Sequence, residues 1–162
     1  MGIKDTEKNF EEAISKYGGI ITKICYYFAS DPEEFKDLRQ EVFYNIWKGL
    51  DKFKHDSKLS TWIYRISFNT CISFHRKEKK VEKISIDYIT EIPEENLETS
   101  KLDEYKTMQK LIRQLKYDER ALILMWLDEM SYDEISSLMG LNRNTIAIRL
   151  KRIKEKLVRM VN

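Results

Sequence analysis

The sequence predicts an all-α protein of two small helical domains joined by an acidic linker. The chain has 162 residues but only 5 Gly and 2 Pro, and 35% of its residues are charged. Apolar residues recur at three- and four-residue steps, which is the helical period. This period fades where acids and Pro93 accumulate, and such a stretch is typical of a linker. We therefore expect domains at residues 1–83 and 102–162, with the linker at residues 84–101.

The first domain is expected to contain three helices. An apolar face extends from about Thr6 to Phe28, and the Gly18–Gly19 pair predicts a break or kink within it. Asp31 followed by Pro32 and two acids predicts the N-cap and first turn of the second helix. That helix is expected to end near Leu50.

The second helix carries a polar row beside its apolar stripe. Helical spacing places four residues in this row: Asp37, Gln40, Glu41 and Tyr44. Phe43 and Trp47 lie between the two faces. A polar row bordered by aromatic residues fits a protein-docking surface. It also fits an ordinary amphipathic helix, which periodicity alone favours.

The third helix is expected to open at Ser60 or Thr61, after a polar loop. Its predicted inward stripe is Ile63, Ile66, Thr70 and Phe74. The opposite side carries Trp62, Arg65, Asn69, Ile72 and Arg76, followed by Lys77. Cations follow phosphates and aromatic rings stack on exposed bases, so this side suits single-stranded or unwinding nucleic acid. A position for Trp62 in the domain core is an equally good interpretation.

The second domain is expected to contain four helices. The first starts near Lys101 with Met108 on its apolar face, and the second starts near Asp118 with Leu127 on its apolar face. Before the third, Ser131 precedes Glu134 by three residues, which predicts a capping box. Gly140 is then expected as a left-handed C-cap, and Asn142 as the N-cap of the fourth helix.

The last two helices have the pattern of a helix-turn-helix, which places its second helix in the DNA major groove. The predicted inner stripe of that helix is Ile146, Leu150, Ile153 and Leu157. The side chains expected to face DNA are Arg143, Asn144, Ala147, Ile148, Arg149, Lys151 and Arg152.

Charge is distributed in three blocks, although the net charge is only +2. Residues 65–83 hold six Lys or Arg against two Glu, residues 84–105 hold seven acids against one Lys, and residues 141–162 hold seven basic residues against one acid. Charged helix faces are commonly just solvated. Two basic blocks around an acidic one instead favour two nucleic-acid contacts joined by a segment that avoids the duplex.

Other functional classes find little support in the residues. The N-terminus lacks the apolar segment of a signal peptide, and no apolar run is long enough to span a membrane. Cys25 and Cys71 are isolated, and we expect buried, reduced thiols in a cytoplasmic protein. His55 and His75 do not form a zinc pattern. We predict no catalytic residue, metal ion or cofactor.

Three segments together resemble bacterial RNA polymerase sigma factors of the extracytoplasmic-function (group IV) sigma-70 family. DLRQEVFYNIWKGLDKF resembles the family's region-two helix, and STWIYRISFNTCISFHRKEKK resembles its promoter-melting and minus-ten helix. SYDEISSLMGLNRNTIAIRLKRIKEKL resembles its region-four helix-turn-helix. The resemblance implies a sigma-two domain, a flexible linker and a sigma-four domain, in family order and spacing.

The resemblance also implies roles for the surfaces. Asp37, Gln40, Glu41, Phe43 and Trp47 would dock on the clamp coiled coil of the polymerase β′ subunit. A base flipped from the minus-ten region would be held by the loop residues Lys54, His55, Asp56, Ser57 and Lys58. During melting, the minus-ten region would contact Trp62, Arg65, Asn69, Arg76 and Lys77. The last helix would read the minus-thirty-five element. Implied partners are core polymerase (β′ clamp and β flap), promoter DNA and, for many family members, an anti-sigma factor.

Ala147 and Ile148 depart from the family pattern, which commonly has polar or basic residues there. They make no hydrogen bonds to bases but can contact thymine methyl groups. Two other functions fit the residues less well than a sigma factor does. A two-domain regulator with a sensing N-terminal half would not need the basic helix that carries Trp62 and Asn69. A nucleic-acid enzyme would need a phosphate loop, metal cluster or nucleophile that the sequence does not provide.

Overall fold

A computed structural model describes residues 3–54, 58–78 and 99–161. These residues form α-helices and no β-strand, which confirms the all-α prediction. The helices are α1 (Ile3–Phe28), α2 (Pro32–Leu50), α3 (Leu59–Glu78), α4 (Thr99–Arg113), α5 (Tyr117–Leu127), α6 (Tyr132–Met139) and α7 (Arg143–Val161). The chain divides into two compact units, Met1–Val81 and Glu82–Asn162. Residues 84–98 of the predicted linker lie outside the described residues, and residues 99–101 begin α4.

In the first unit, α1, α2 and α3 all pack against one another. The buried apolar side chains include Ile21, Ile24, Phe28, Leu38, Val42, Ile46, Ile63 and Phe68. Each such side chain contributes about 1.5–3 kcal/mol when it is fully buried. This core fixes which sides of α2 and α3 remain available for binding.

The turn between α1 and α2 is held by local and long-range hydrogen bonds. Asp31 caps α2 as predicted, since its Oδ1 accepts from the backbone N–H of Glu34 at 2.8 Å, and Pro32 occupies the first helical position. From α3, the buried His75 places Nε2 2.6 Å from the carbonyl oxygen of Phe28. Because a carbonyl only accepts, His75 donates this hydrogen bond from Nε2. This hydrogen bond links α3 to the connection between α1 and α2.

The predicted break at Gly18–Gly19 is wrong, because α1 continues through both glycines. A glycine inside a helix costs about 1 kcal/mol relative to alanine. The flanking turns bury Ala13, Ile21 and Ile24 against the rest of the unit. This burial outweighs the local preference of the two glycines.

The inward face of α3 also differs from the prediction. Ile63 and Thr70 are buried as expected, but Ile66 and Phe74 are only half-buried. The remaining buried positions on α3 are Ser67, Phe68, Cys71 and His75. Because α3 packs against both α1 and α2, it buries a broader face that is centred about one residue later.

The second unit contains α4 to α7, and the predicted cap residues Ser131, Gly140 and Asn142 are confirmed, with the Ser131 half of the predicted capping box. Ser131 Oγ accepts from the backbone N–H of Glu134 at 3.1 Å. Gly140 adopts φ 68° at the end of α6, a left-handed conformation that favours glycine. Asn142 Oδ1 accepts from the backbone N–H of Thr145 at 2.8 Å. These caps set the tight turn between α6 and α7.

The apolar face of α7 is confirmed, since Ile146, Leu150, Ile153 and Leu157 are its buried residues. The expected burial of Met108 and Leu127 is wrong, because each side chain is 43% exposed. On α4 the adjacent Gln109 is buried instead, together with Ile112 and Arg113. On α5, residues 120–125 are all buried, and Leu127 is the last residue of the helix.

A buried arginine organises the connection between α4 and α5. Arg120 Nη2 donates to the carbonyl oxygens of Arg113 at 2.6 Å and Leu115 at 2.9 Å. A buried charge without such partners would be strongly destabilising. The same two hydrogen bonds satisfy the carbonyl oxygens of Arg113 and Leu115 at the end of α4. Nothing in the sequence pattern marked Arg120 as a core residue.

Candidate nucleic-acid interface

All seven DNA-facing residues predicted on α7 lie on its accessible side, which we call the α7 surface. Ile148 is 52% exposed, and Ala147 is half-buried. The polar members of the α7 surface are all exposed: Arg143, Asn144, Arg149, Lys151 and Arg152. The N-terminal turns of α7 therefore offer cations, one amide and an apolar side chain within a single surface.

Two arginines of the α7 surface pair with acids on the preceding helices. Arg143 Nη1 lies 3.6 Å from Asp133 Oδ1 of α6, and Arg149 Nη1 lies 3.9 Å from Asp118 Oδ2 of α5. All four side chains are substantially exposed, and ion pairs of this kind contribute at most about 1 kcal/mol. Both guanidinium groups can therefore exchange a carboxylate for a phosphate at little cost.

Lys151 and Arg152 make no ion pair with any of the described residues. Asn144 is exposed on the same side of the helix. Ile148 supplies the apolar contact that a thymine methyl group would accept.

The α2 surface consists of the exposed residues Asp37, Gln40 and Glu41 with the half-buried aromatics Phe43 and Trp47. The Phe43 ring lies 5.2 Å from the guanidinium carbon of Arg39. Trp47 packs edge-to-face on Phe10 of α1, with ring centroids 5.2 Å apart. Trp47 therefore contributes to the core of the unit and also borders the polar row.

On α3, Asn69 is exposed, whereas Trp62 and Arg65 are half-buried. The Trp62 ring lies 5.2 Å from the Phe53 ring. A Cβ atom at Gly49 would lie only 3.0 Å from Trp62 Cζ2, so glycine is what allows this close approach to α2. Trp62 is therefore packed partly inside the unit, and its contact with nucleic acid stays a prediction.

The remaining minus-ten residues fall in the loop before α3 and at its end. Lys54 and Lys58 are exposed. His55, Asp56 and Ser57 lie outside the described residues. Arg76 and Lys77 belong to the last turn of α3, and their side chains are likewise outside the description.

Sequence reasoning missed a groove between α2 and α3, which we call the α2–α3 groove. Its walls are formed by Glu41, Asn45 and Lys48 from α2 and by Arg65, Ile66, Asn69, Thr70, Ser73 and Phe74 from α3. Across its floor, Asn45 Nδ2 donates to Thr70 Oγ1 at 3.0 Å. The spacing of Glu41, Asn45 and Lys48 at i, i+4 and i+7 was the signal available in the sequence.

Within the described parts of the chain, no three His, Cys, Asp or Glu side chains come together as a metal site. The two cysteines are buried and unpaired with each other. The helices in these parts are too short or too polar to cross a membrane.

Two family models match the chain in the same order as the two units. The model of sigma-70 region 2 matches residues 13–81, and the model of sigma-70 region 4 matches residues 105–157. Together they cover well over half of the sequence. The chain belongs to the sigma-70 family. Its relatives place it in the extracytoplasmic-function group, and it is an RNA polymerase sigma factor that serves transcription initiation.

Among these relatives, the extracytoplasmic-function sigma factor SigW of Bacillus subtilis is 27% identical, over 95% of this chain and 89% of the relative. The sigma-H factor of Pseudomonas aeruginosa is 29% identical, over 92% of this chain and 84% of the relative. The sigma-E factor of Escherichia coli is 26% identical, over 94% and 86% respectively. Each alignment spans both region 2 and region 4.

Two solved structures share the fold. The sigma factor RpoE of Bartonella quintana, solved with the anti-sigma factor NepR, matches with a TM-score of 0.76 and 21% identity, covering 95% of this chain and 97% of that one. CnrH, solved with the cytosolic domain of CnrY, matches with a TM-score of 0.68 and 19% identity, covering 96% and 88% respectively.

Proposed function

We propose that this sigma factor is a non-catalytic subunit that binds core RNA polymerase, selects promoters and opens them. The observation that carries the proposal is that the accessible side chains of α3 and of α7 differ in chemistry. The α3 helix offers aromatic, amide and basic groups, whereas the α7 surface belongs to a helix-turn-helix. Single strands and duplex DNA require these two kinds of surface respectively.

The α7 surface is proposed to read the upstream promoter element. Arg143 and Arg149 exchange their carboxylate partners for phosphates, which positions the helix without reading sequence. Asn144, Lys151 and Arg152 face the base edges, and Ile148 contacts thymine methyl groups. The sigma-four domain, residues 102–162, also binds the β flap of core polymerase in this proposal.

The α3 helix and the loop before it are proposed to hold the minus-ten region. Asn69 and Arg65 face the opening strand, with Arg76 and Lys77 continuing along its phosphates. Residues 54–58 are proposed to hold a base flipped from the non-template strand. Half-burial of Trp62 leaves part of its ring for stacking. Melting thus belongs to the sigma-two domain, residues 1–83.

The α2 surface is proposed to dock on the clamp coiled coil of the β′ subunit. Its exposed polar row ends in partly covered aromatics, the combination found at protein interfaces. We place the protein in the cytoplasm, where polymerase and chromosome are found. An anti-sigma factor is a further proposed partner, by analogy with the complex of RpoE and NepR.

In vitro transcription tests the function directly. Core polymerase is incubated with genomic DNA fragments, with and without the full chain, and the transcripts are mapped. We expect start sites that depend on the chain and vanish when Arg152 and Asn69 are both replaced by alanine. If no new start site appears, while the chain still binds duplex DNA, the protein acts as a regulator and the proposal fails.

The docking surface is tested by the double substitution Gln40→Lys and Glu41→Lys. Both side chains are exposed, so the fold should persist while affinity for core polymerase falls at least tenfold. A matched control is Glu7→Lys with Glu11→Lys on α1, which changes the charge at least as much at other exposed positions. Equal affinity of the docking variant and the control, measured by titration with labelled core polymerase, would reject this surface.

A further inference from the structure

We propose that Ile148 makes the α7 surface a reader of one pyrimidine 5-methyl group in the DNA major groove, carried by either thymine or 5-methylcytosine. The proposal deepens the function proposed above and rests on it for the binding of duplex DNA by α7. It assigns to one side chain the choice between a methylated and an unmethylated pyrimidine. Methylation of a cytosine at that position of the upstream element therefore strengthens binding.

Ile148 is the residue of the α7 surface that points most directly away from the core of the second unit. Successive residues of an α-helix are turned by about 100° around its axis. The buried stripe of α7 consists of Ile146, Leu150, Ile153 and Leu157. The centre of this stripe lies about 170° around the helix from Ile148. When the exposed side of such a helix enters the groove, a side chain at this angle reaches deepest towards the bases.

The Ile148 side chain is an isolated apolar group within a polar row. It is 52% exposed. Its neighbours one helical turn away are Asn144 on one side and Lys151 and Arg152 on the other, and all three are exposed. The preceding Ala147 is half-buried and adds no polar side-chain atom. At the point where α7 reaches deepest, selectivity therefore comes from an apolar contact and not from a hydrogen bond.

The edges of the bases determine which ligand this apolar contact fits. Among the four bases, thymine alone presents a methyl group in the major groove. Guanine, adenine and cytosine present polar atoms that Ile148 cannot pair with, and a polar atom buried without a partner costs free energy. The methyl group of 5-methylcytosine is on the same ring atom as that of thymine. Ile148 therefore prefers either methylated pyrimidine to its unmethylated counterpart.

Two arginines on the flanks of α7 make the contact discriminating. Around the helix axis, Arg143 lies about 140° from Ile148 in one direction, and Arg149 lies about 100° from it in the other. Both side chains are exposed and hold only loose ion pairs, so they are available to the phosphates on either side of the groove. Phosphate contacts on both flanks fix the register of the helix. The complex therefore cannot compensate for a missing methyl group by sliding.

Deoxyuridine provides the first test, because it lacks only the methyl group of thymine. Holoenzyme formed from the full chain and core polymerase is first selected on duplexes with a randomised upstream segment. The most enriched duplex is resynthesised with deoxyuridine at one thymine at a time, and affinity is measured by fluorescence anisotropy. We expect one thymine at which deoxyuridine lowers affinity about fourfold, the equivalent of one methylene group lost from an apolar contact. A selected element without thymine, or equal affinity at every thymine, would overturn the proposal.

Ile148→Ala tests whether this side chain makes the contact. Its exposure means that the fold should persist, and the difference between thymine and deoxyuridine should fall below about twofold. Val158→Ala is the matched control, since it shortens another exposed β-branched side chain about 15 Å further along the same helix. This control should keep the full difference. An undiminished difference in Ile148→Ala would place the methyl contact on another residue and reject the proposal.

5-Methylcytosine distinguishes the two sources of the methyl group. At the responsive position, the thymine–adenine pair is replaced by cytosine–guanine, with the cytosine unmethylated in one duplex and methylated in the other. We expect the methylated duplex to bind about fourfold more tightly, and Ile148→Ala to remove this difference. Equal binding of the two duplexes would show that the site reads thymine alone, and the effect of cytosine methylation would be rejected.

The two proposals fail in distinguishable ways. Failure of the function proposed above would appear as the absence of start sites with core polymerase. The selection is then made with the full chain alone, and the same duplexes are compared. Failure of methyl reading would appear as equal affinity for thymine and deoxyuridine, whether or not transcription occurs.

Discussion

The two basic helices, α3 and α7, differ in how closely they follow their sequence patterns. On α7 the buried residues are Ile146, Leu150, Ile153 and Leu157, one regular stripe. On α3 the buried face is broader and shifted, and it includes Ser67 and His75. We propose that both helices carry side chains that bind DNA, but only α7 presents these side chains on a side that periodicity defines.

The two helices differ in how many helices pack on them and in how polar their buried faces are. On α7 the buried stripe is wholly aliphatic, and capped turns fix the start of the helix. The helices α1 and α2 both pack on α3, and together they cover polar side chains as well as apolar ones. Each of these polar side chains makes a hydrogen bond: Ser67 donates to the Ile63 carbonyl at 2.8 Å, and His75 donates to the Phe28 carbonyl. A binary apolar pattern therefore describes α7 well and α3 poorly.

The largest effect expected is on α3, where Phe68 and Phe74 form a matched pair. Phe68 is 2% exposed and contacts the rings of Phe28 and Tyr64. Phe68→Ala should lower the free energy of unfolding of the first unit by about 3–5 kcal/mol. Phe74→Ala, at a half-buried position, should cost only about 1–2 kcal/mol. Urea denaturation followed by circular dichroism measures both. Equal losses of unfolding free energy would show that Phe74 belongs to the core, and the contrast between α3 and α7 would not hold.

The next effect concerns base reading by α7. Arg152→Ala should cost about 1–3 kcal/mol of binding to the upstream element if the guanidinium reads a base. Arg159→Ala removes an exposed cation in the last turn of the same helix and should cost less than 1 kcal/mol. Holoenzyme binding to specific and scrambled duplexes distinguishes the roles. An equal loss on both duplexes would make Arg152 a phosphate contact.

A smaller effect is expected at the cap of α7. Asn142→Ala removes the acceptor for the N–H of Thr145 and should destabilise the second unit by about 0.5–2 kcal/mol. Asn144→Ala, two residues later and exposed, should change stability by less than about 0.5 kcal/mol. Thermal denaturation compares them. If Asn142→Ala proves neutral, the regularity of α7 does not depend on its cap.

The smallest effect on stability is expected at Asn69 of α3. Its side chain is exposed, so Asn69→Ala should change the free energy of unfolding by less than about 0.5 kcal/mol. Promoter opening should nevertheless be impaired more than initial binding to the closed duplex. Permanganate reactivity of the bubble reports opening, and a gel-shift assay on the intact duplex reports binding. Normal opening would remove Asn69 from the mechanism.

The candidate site was predictable to different extents on the two helices. On α7, caps and spacing were sufficient to place all seven residues of the α7 surface on one accessible side. The ion pairs with Asp118 and Asp133 were not predictable, because those acids lie on other helices. For α3, the partial burial of Trp62 depends on the close approach to Gly49. No local pattern contains that distance.

The sequence by itself determined the helical class, the caps at Asp31, Ser131 and Asn142, the left-handed turn at Gly140 and the inner stripe of α7. Each of these depends on residues within a few positions of one another, where short-range hydrogen bonds and periodicity decide. Tertiary structure alone decided that α1 continues through its two glycines, that Arg120 is buried, and that α2 and α3 enclose a groove. These features depend on packing between segments distant in the chain, whose burial free energy exceeds local preferences of about 1 kcal/mol.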